Sequence, residues 1–192
     1  MAELKIVRMS VDEFFSWQPR QEKLYELVDG VPVLSLKMMS GATLRHDRVT
    51  VSVIAELFRQ LKGSGCRPTT SDVAVQIPHG NIRRPDITVD CGQAKSDREL
   101  VAASPRAVFE VLSPSTLSFD RFRKLEEYKT VESIAAIVLI DTEAPQVTVH
   151  RRRGGRWLSE THEGLKAAID LSSEIGAVVS LADVYDGVAF DA

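Results

Sequence analysis

Residues 107–140 read AVFEVLSPSTLSFDRFRKLEEYKTVESIAAIVLI, and this stretch decides the fold. Its two ends, 107–112 and 134–140, are short apolar runs that indicate buried strands. Residues 118–130 between them predict a helix. A strand, a helix and a second strand in this order form a crossover unit with parallel strands. The stretch therefore predicts an α/β protein.

The chain on either side of this unit predicts further elements from the spacing of its apolar residues. Steps of two residues indicate strands, and steps of three and four residues indicate helices. The predicted strands are 67–77, 86–89, 146–150 and 156–160, with a first hairpin around Asp29-Gly30. The predicted helices begin after Ser10, span 43–61 and follow Ser180. All 192 residues are expected to form a single domain with short loose termini.

The composition is that of an ordinary globular protein, with 44% hydrophobic and 27% charged residues. No apolar run approaches the roughly 20 residues that span a bilayer, and the first ten residues lack the apolar region of a signal peptide. We therefore expect a cytoplasmic protein with no membrane partner. Cys66 and Cys91 are too few for a disulfide framework and lack the spacing of a zinc site, so buried thiols are expected.

The net charge of −3 gives no overall attraction to nucleic acid. Any phosphate contact would therefore come from local basic clusters, such as Arg83-Arg84 and Arg151-Arg152-Arg153. A solvated protein face is the commoner explanation for clusters of this kind.

Two acidic residues lie where an uncompensated carboxylate would be costly to bury. Asp86 begins the strand DITV, and Glu110 interrupts the run AVFEVL. Two carboxylates on neighbouring strands, with the backbone carbonyl of Val111 between them, supply the hard oxygen ligands that Mg²⁺ prefers. Lys124 shares a face of the following helix with Tyr128, and its ammonium is suited to steady charge at a phosphate under attack by water. These residues predict metal-dependent hydrolysis, with Mn²⁺ as an alternative ion.

A structural explanation exists for each of these residues. Asp86 and Glu110 could instead form ion pairs with arginines, the nearest in sequence being Arg83, Arg84 and Arg106. Lys124 could be a surface lysine paired with a neighbouring acid of its own helix. Tyr128 is expected to pack the helix onto the sheet rather than to contact substrate.

Five segments, in order, carry a resemblance to a known family: YELVDG (25–30), RHDRV (45–49), RRPDITV (83–89), FEVLSPST (109–116) and DRFRKLEEY (120–128). The chain resembles the Uma2 family of endonuclease-like proteins, also known as DUF820, from about residue 10 to about residue 185. These proteins are similar to the PD-(D/E)xK superfamily. The resemblance implies a restriction-endonuclease-like core, in which a mixed central β-sheet is flanked by helices.

The resemblance also assigns residues to the site. Pro85-Asp86 matches the PD element, and Glu110 matches the acid of the second element. The superfamily pattern expects lysine two residues after that acid, where this chain has Leu112, so the resemblance implies that Lys124 replaces it. Glu26 of YELVDG and His46 of RHDRV are implied as further groups at the site.

The predicted function is that of a metal-dependent endonuclease that hydrolyses DNA phosphodiester bonds through a Mg²⁺-bound water. The predicted catalytic residues are Glu26, His46, Asp86, Glu110 and Lys124, and the predicted metal ligands are Asp86, Glu110 and Val111. A homodimer is expected because two copies would help a small nuclease to span a duplex. The alternative is a nuclease-fold module that no longer cuts and binds nucleic acid or a protein partner.

Overall fold

The computed structural model describes residues 8–35, 43–94, 96–112 and 118–190. Its α-helices are α1 (Val11–Trp17), α2 (Leu44–Leu61), α3 (Ser118–Thr130) and α4 (Leu181–Val184), and a 3₁₀ turn (Gln18–Arg20) follows α1. Its strands are β1 (Tyr25–Val28), β2 (Val31–Leu34), β3 (Arg67–Thr70), β4 (Val75–Gln76), β5 (Ile82–Arg83), β6 (Ile87–Asp90), β7 (Pro105–Leu112), β8 (Ala136–Asp141), β9 (Gln146–Arg153), β10 (Arg156–Glu163), β11 (Ala168–Leu171) and β12 (Ala177–Ser180). None of the helices within these ranges is long and apolar enough to cross a bilayer.

The central sheet has six strands in the order β10-β9-β8-β7-β6-β3. Strands β7 and β8 are parallel, with Ala107 opposite Ala136 and Leu112 opposite Asp141, and α3 connects them. The remaining neighbours in this sheet are antiparallel. The predicted crossover unit is therefore confirmed, and it lies at the centre of a mixed sheet.

Apolar side chains cover both faces of this sheet. On one face, Val49 and Val53 of α2 pack in one buried cluster with Phe109 of β7. On the other face, Tyr128 of α3 packs with Val108 of the same strand. Each fully buried side chain of this size contributes about 1.5–3 kcal/mol, so both helices are held firmly against the sheet.

The first hairpin places Glu26 close to β5. Asp29 and Gly30 have φ angles of 51° and 78°, as the predicted tight turn requires. Strand β1 pairs with β2 on one side and with β5 on the other, where Leu27 lies opposite Ile82. Glu26 therefore lies beside the segment that leads through Arg83 towards β6.

Two caps predicted from the sequence are confirmed. The hydroxyl of Ser10 accepts the N–H of Glu13 at 3.2 Å, and the Glu13 carboxylate accepts the N–H of Ser10 at 2.7 Å. The hydroxyl of Ser180 likewise accepts the N–H of Asp183 at the start of α4. Both helices thus begin where the sequence predicts.

The prediction of one strand over residues 67–77 is wrong, because β3 and β4 are separate. Between them the N–H of Val73 donates to the carbonyl of Thr70 in a turn. The buried guanidinium of Arg84 donates hydrogen bonds to the carbonyls of Ser71 and Asp72 at 2.9 and 2.8 Å. Those carbonyls bond to a side chain and not to a neighbouring strand, so the alternating pattern does not continue as a ladder.

The expectation of free buried thiols is also wrong. Cys66 precedes β3 and Cys91 follows β6, and the antiparallel register that pairs Arg67 with Asp90 places the two cysteines opposite each other. They form a disulfide, with Cα atoms 4.0 Å apart and a sequence separation of 25. The disulfide fastens one end of β6, the strand that follows Asp86, to the chain leaving α2.

Candidate active site

Asp86 is a buried carboxylate held against the backbone of β7. Its residue is 3% exposed, and its Oδ2 accepts the N–H of Val111 at 2.8 Å. Because β6 and β7 are antiparallel, with Ile87 opposite Phe109, Asp86 lies beside the part of β7 that carries Glu110. The two acids singled out by the sequence therefore come from adjacent strands at one place in the sheet.

His46 approaches Asp86 from the first turn of α2. Its Nε2 lies 3.2 Å from Asp86 Oδ1, and the residue is 8% exposed. The helix begins there because Thr43 caps it: the Thr43 hydroxyl accepts the N–H of His46 at 3.2 Å. This fixed start gives the imidazole a defined position next to the carboxylate.

Glu110 is half-buried and accepts a hydrogen bond from the hydroxyl of Tyr128 at 2.7 Å. Complete burial raises the pKa of Tyr128 well above its usual range, and the negative charges of Glu110 and Glu26 raise it further. The phenol therefore remains a proton donor at neutral pH. Tyr128 packs in the core as the sequence predicts, and its hydroxyl also orients the Glu110 carboxylate.

Lys124 and Glu26 form a buried ion pair. Lys124 Nζ lies 3.0 Å from Glu26 Oε1, while Glu26 Oε2 accepts a bond from Arg83 at 2.8 Å and Oε1 also accepts the N–H of Arg84. Burial opposes ionisation of Glu26, but the nearby charges of Lys124 and Arg83 outweigh it and lower its pKa. Glu26 is thus an anion at neutral pH.

Further charged groups lie next to this ion pair. The sequence did not identify them as a cluster. Glu127 accepts bonds from Asn81 at 2.9 Å, from Arg83, and from Arg123 at 3.0 Å. Arg123 also donates twice to Asp29 at the hairpin turn, at 2.8 Å each. The hairpin, β5 and α3 are consequently joined by charge-assisted hydrogen bonds.

Arg83 and Arg84 are not on a solvated face, since they are only 1% and 2% exposed. The Arg83 guanidinium joins Glu26 to Glu127, and the Glu26 and Glu127 charges outweigh burial and raise its pKa. Arg84 donates to backbone carbonyls, including that of Tyr25 at 2.9 Å. The sequence did contain a signal for this buried position: the two arginines directly precede an apolar strand, and a buried guanidinium requires hydrogen-bonding partners.

Among the predicted site residues, His46 thus contacts Asp86, and Lys124 pairs with Glu26, while Glu110 accepts the Tyr128 hydroxyl. Val111, whose N–H holds Asp86, is next to Glu110 in β7. The field of Glu26 also reaches the Tyr128 hydroxyl that bonds Glu110.

The oxygen ligands at this site suit a hard divalent cation but would fill only part of its coordination shell. Asp86, Glu110 and the Val111 carbonyl would supply oxygen ligands from adjacent strands, and Mg²⁺ commonly uses one or two carboxylates with water and phosphate oxygens. Within the described ranges, no group of three or more His, Cys, Asp or Glu side chains forms a metal cage. Any bound ion would therefore depend on water and a ligand for its remaining positions.

The chain is similar to proteins of known sequence and structure. The uncharacterized protein slr1290 of Synechocystis sp. strain PCC 6803 is 27% identical over 185 residues, covering 95% of this chain and 94% of that protein. The uncharacterized protein sll1609 of the same organism is 26% identical over 138 residues, covering 70% and 78%.

The crystal structure of "a putative nuclease belonging to DUF820" from Anabaena variabilis superimposes with a TM-score of 0.74 at 17% identity, covering 94% of this chain and 99% of that one. The predicted restriction-endonuclease-like fold, a mixed sheet flanked by helices, is thereby confirmed. The Uma2 family model, described as "Putative restriction endonuclease", matches residues 11–182. The chain therefore belongs to the Uma2 family, and the resemblance seen in its sequence motifs is correct.

Proposed function

We propose that this protein is a metal-dependent endonuclease that hydrolyses phosphodiester bonds in DNA. The observation that carries the proposal is the position of Asp86: a buried carboxylate, bonded to the Val111 N–H, beside the strand segment that holds Glu110. Its membership of a family described as "Putative restriction endonuclease" and its nuclease-like fold support the same class of reaction.

The residues fit Mg²⁺, or Mn²⁺ in its place, through the carboxylates of Asp86 and Glu110 and the carbonyl of Val111. A bound cation would supply Lewis-acid activation of water and neutralise charge on the phosphate. Two neighbouring groups orient the carboxylates: the His46 imidazole lies against Asp86, and the Tyr128 hydroxyl donates to Glu110. The protein would thus present both acids in fixed positions before substrate binds.

Lys124 would provide the positive charge that steadies the phosphate as the P–O bond to the 3′ oxygen breaks. Glu26 keeps its own charge and holds the Lys124 ammonium at 3.0 Å. Arg83 bonds to Glu26, and Glu127 in turn bonds to Arg83. The role of Glu26 in this scheme is to position the lysine that comes from α3.

A non-cutting nucleic-acid or protein-binding module is the second candidate. The observation that favours it is the placement of the lysine on a helix, with Leu112 at the strand position where the superfamily pattern has lysine. A residue moved to another element can keep the fold while losing catalytic geometry.

The test is cleavage of supercoiled plasmid by purified protein with Mg²⁺, with Mn²⁺ and with EDTA. Asp86→Asn and Lys124→Met are compared with Lys129→Met, a control on the same helix whose lysine pairs with Glu126 near the surface. We expect metal-dependent nicking by the parent and the control, and a loss of at least about 100-fold in the other two variants.

Equal cleavage by all four proteins would identify a contaminating nuclease and count against the proposal. No cleavage by the parent, combined with DNA binding in a gel-shift assay, would favour the non-cutting module. Measuring the melting temperature of each variant separates a loss of chemistry from a loss of folding.

A further inference from the structure

Helix α2 carries a stripe of exposed apolar side chains. Leu44, Val51 and Phe58 are 64%, 57% and 54% exposed, and Ala55 between them is also exposed. The three larger residues are spaced by seven positions. We call these four residues the α2 stripe.

The α2 stripe lies on the side of the helix opposite the core. Val49, Val53 and Leu57 bury the inner face completely or nearly so. A helix at the surface of a monomer normally has a polar outer face, so apolar residues on both sides need a second surface to cover them. A seven-residue repeat is the spacing at which one helix packs along another.

The charges beside the stripe fit a second copy of the same helix. Successive helical residues are about 100° apart, so Asp47 and Arg48 flank the stripe on opposite sides at nearly the same level. In a parallel pair related by a twofold axis along the helices, each Asp47 faces Arg48 of the other copy. In an antiparallel pair each flank would meet the same flank of the other copy, so Asp47 of one copy would not face Arg48 of the other.

We propose that the α2 stripe is a homodimer interface in which two copies of α2 pack in parallel about a twofold axis. Leu44, Val51 and Phe58 would each contact the same residue of the other copy. Two Asp47–Arg48 ion pairs would flank this apolar contact. His46 is in the first turn of α2, so both candidate sites would lie at the same end of the dimer. The inference does not depend on nuclease activity.

Sedimentation velocity over a range of protein concentrations tests the dimer. We expect a species of twice the 21.2 kDa chain mass. Val51→Asp should weaken the dimer at least about 30-fold, because it places two like charges at the centre of an apolar interface. Leu158→Asp is the matched control: Leu158 is also 57% exposed but lies on β10, so its dimer should match that of the parent.

A charge exchange tests the parallel arrangement. Asp47→Arg should weaken the dimer, and adding Arg48→Asp in the same chain should restore it. Phe58→Cys should form an interchain disulfide on mild oxidation, since only parallel packing brings the two copies of residue 58 together. Melting temperatures check folding, because Arg48 also donates to the Gly187 carbonyl.

A parent that stays monomeric at high concentration would overturn the proposal and leave the stripe to another partner. A dimer that survives Val51→Asp would place the interface elsewhere. A dimer weakened by Val51→Asp but not rescued by the charge exchange or cross-linked at residue 58 would refute the parallel arrangement. Plasmid cleavage is not needed for any of these outcomes.

Discussion

Replacing Glu26 by glutamine removes the central charge of the buried cluster while keeping the shape of the side chain. In the native protein, Glu26 accepts bonds from Arg83, from the N–H of Arg84 and from Lys124, all within 3.1 Å. The residue is only 4% exposed, so water cannot replace these bonds without a rearrangement. Glutamine has one oxygen acceptor and no charge, so the two cations lose the anion between them.

The size of the effect follows from the partners that remain. Removing one member of a buried ion pair typically costs about 3–5 kcal/mol, because the other charge remains in a low-dielectric environment. Arg83 keeps its bonds to Glu127, so its charge is still compensated. We therefore expect the lower end, about 3 kcal/mol of unfolding free energy, or a fall in melting temperature of about 6–12 °C for a protein of this length.

Urea unfolding of parent and Glu26→Gln at pH 7 measures this difference. The control is Glu126→Gln, which removes an acid whose side chain is 50% exposed and which pairs with Lys129 at 2.7 Å. That exposed pair should contribute less than about 1 kcal/mol. A Glu26→Gln variant within about 1 kcal/mol of the parent would refute the view that this cluster holds the hairpin to α3.

Three further predictions concern acid, reductant and the buried phenol. The folded-state pKa of Glu26 lies below its ordinary value of 4.5, so its contribution to stability is complete above that pH and is lost as the pH falls through the lowered value. Melting curves recorded down to about pH 3 should therefore show a steep fall in the melting temperature of the parent and a shallower fall for Glu26→Gln. Reduction of the Cys66–Cys91 disulfide opens a loop with a sequence separation of 25, so dithiothreitol should lower the unfolding free energy by about 3 kcal/mol; an unchanged melting temperature would contradict this. Tyr128→Phe removes the hydrogen bond to Glu110 but keeps the ring in the core, so under the proposed function cleavage should fall about tenfold or more while the protein remains folded; unaltered cleavage would show that the hydroxyl does not orient the acid.

Local signals in the sequence were sufficient for the main elements. The pairing of Ser10 with Glu13 predicted the start of α1, and Asp29-Gly30 predicted the first hairpin, because both depend on short-range hydrogen bonds or φ angles. The crossover unit was predictable because two apolar runs flank one helix. The acids Asp86 and Glu110 were noticed because a carboxylate in an apolar strand needs a partner.

The rest depends on contacts between distant parts of the chain. The break between β3 and β4 follows from Arg84, which reaches back to the carbonyls of residues 71 and 72. The disulfide depends on a strand register that cannot be derived from two isolated cysteines. Strand β5 has only two residues, Ile82 and Arg83, and owes its place to pairing with β1 and β4.

Under the proposed function, the geometry gives a physical reason why a lysine on a helix can serve a site built from strands. Helix α3 connects β7 to β8, so one of its faces must pass over the strand that carries Glu110. Lys124 and Tyr128 are one turn apart on that helix: the phenol reaches Glu110 at 2.7 Å, and the ammonium reaches Glu26 at 3.0 Å. A flexible lysine side chain needs an anchor when its backbone is not part of the sheet, and Glu26, itself fixed by Arg83, supplies one. The buried glutamate of the hairpin and the lysine of α3 therefore form one arrangement: a change that frees Glu26 should also misplace Lys124.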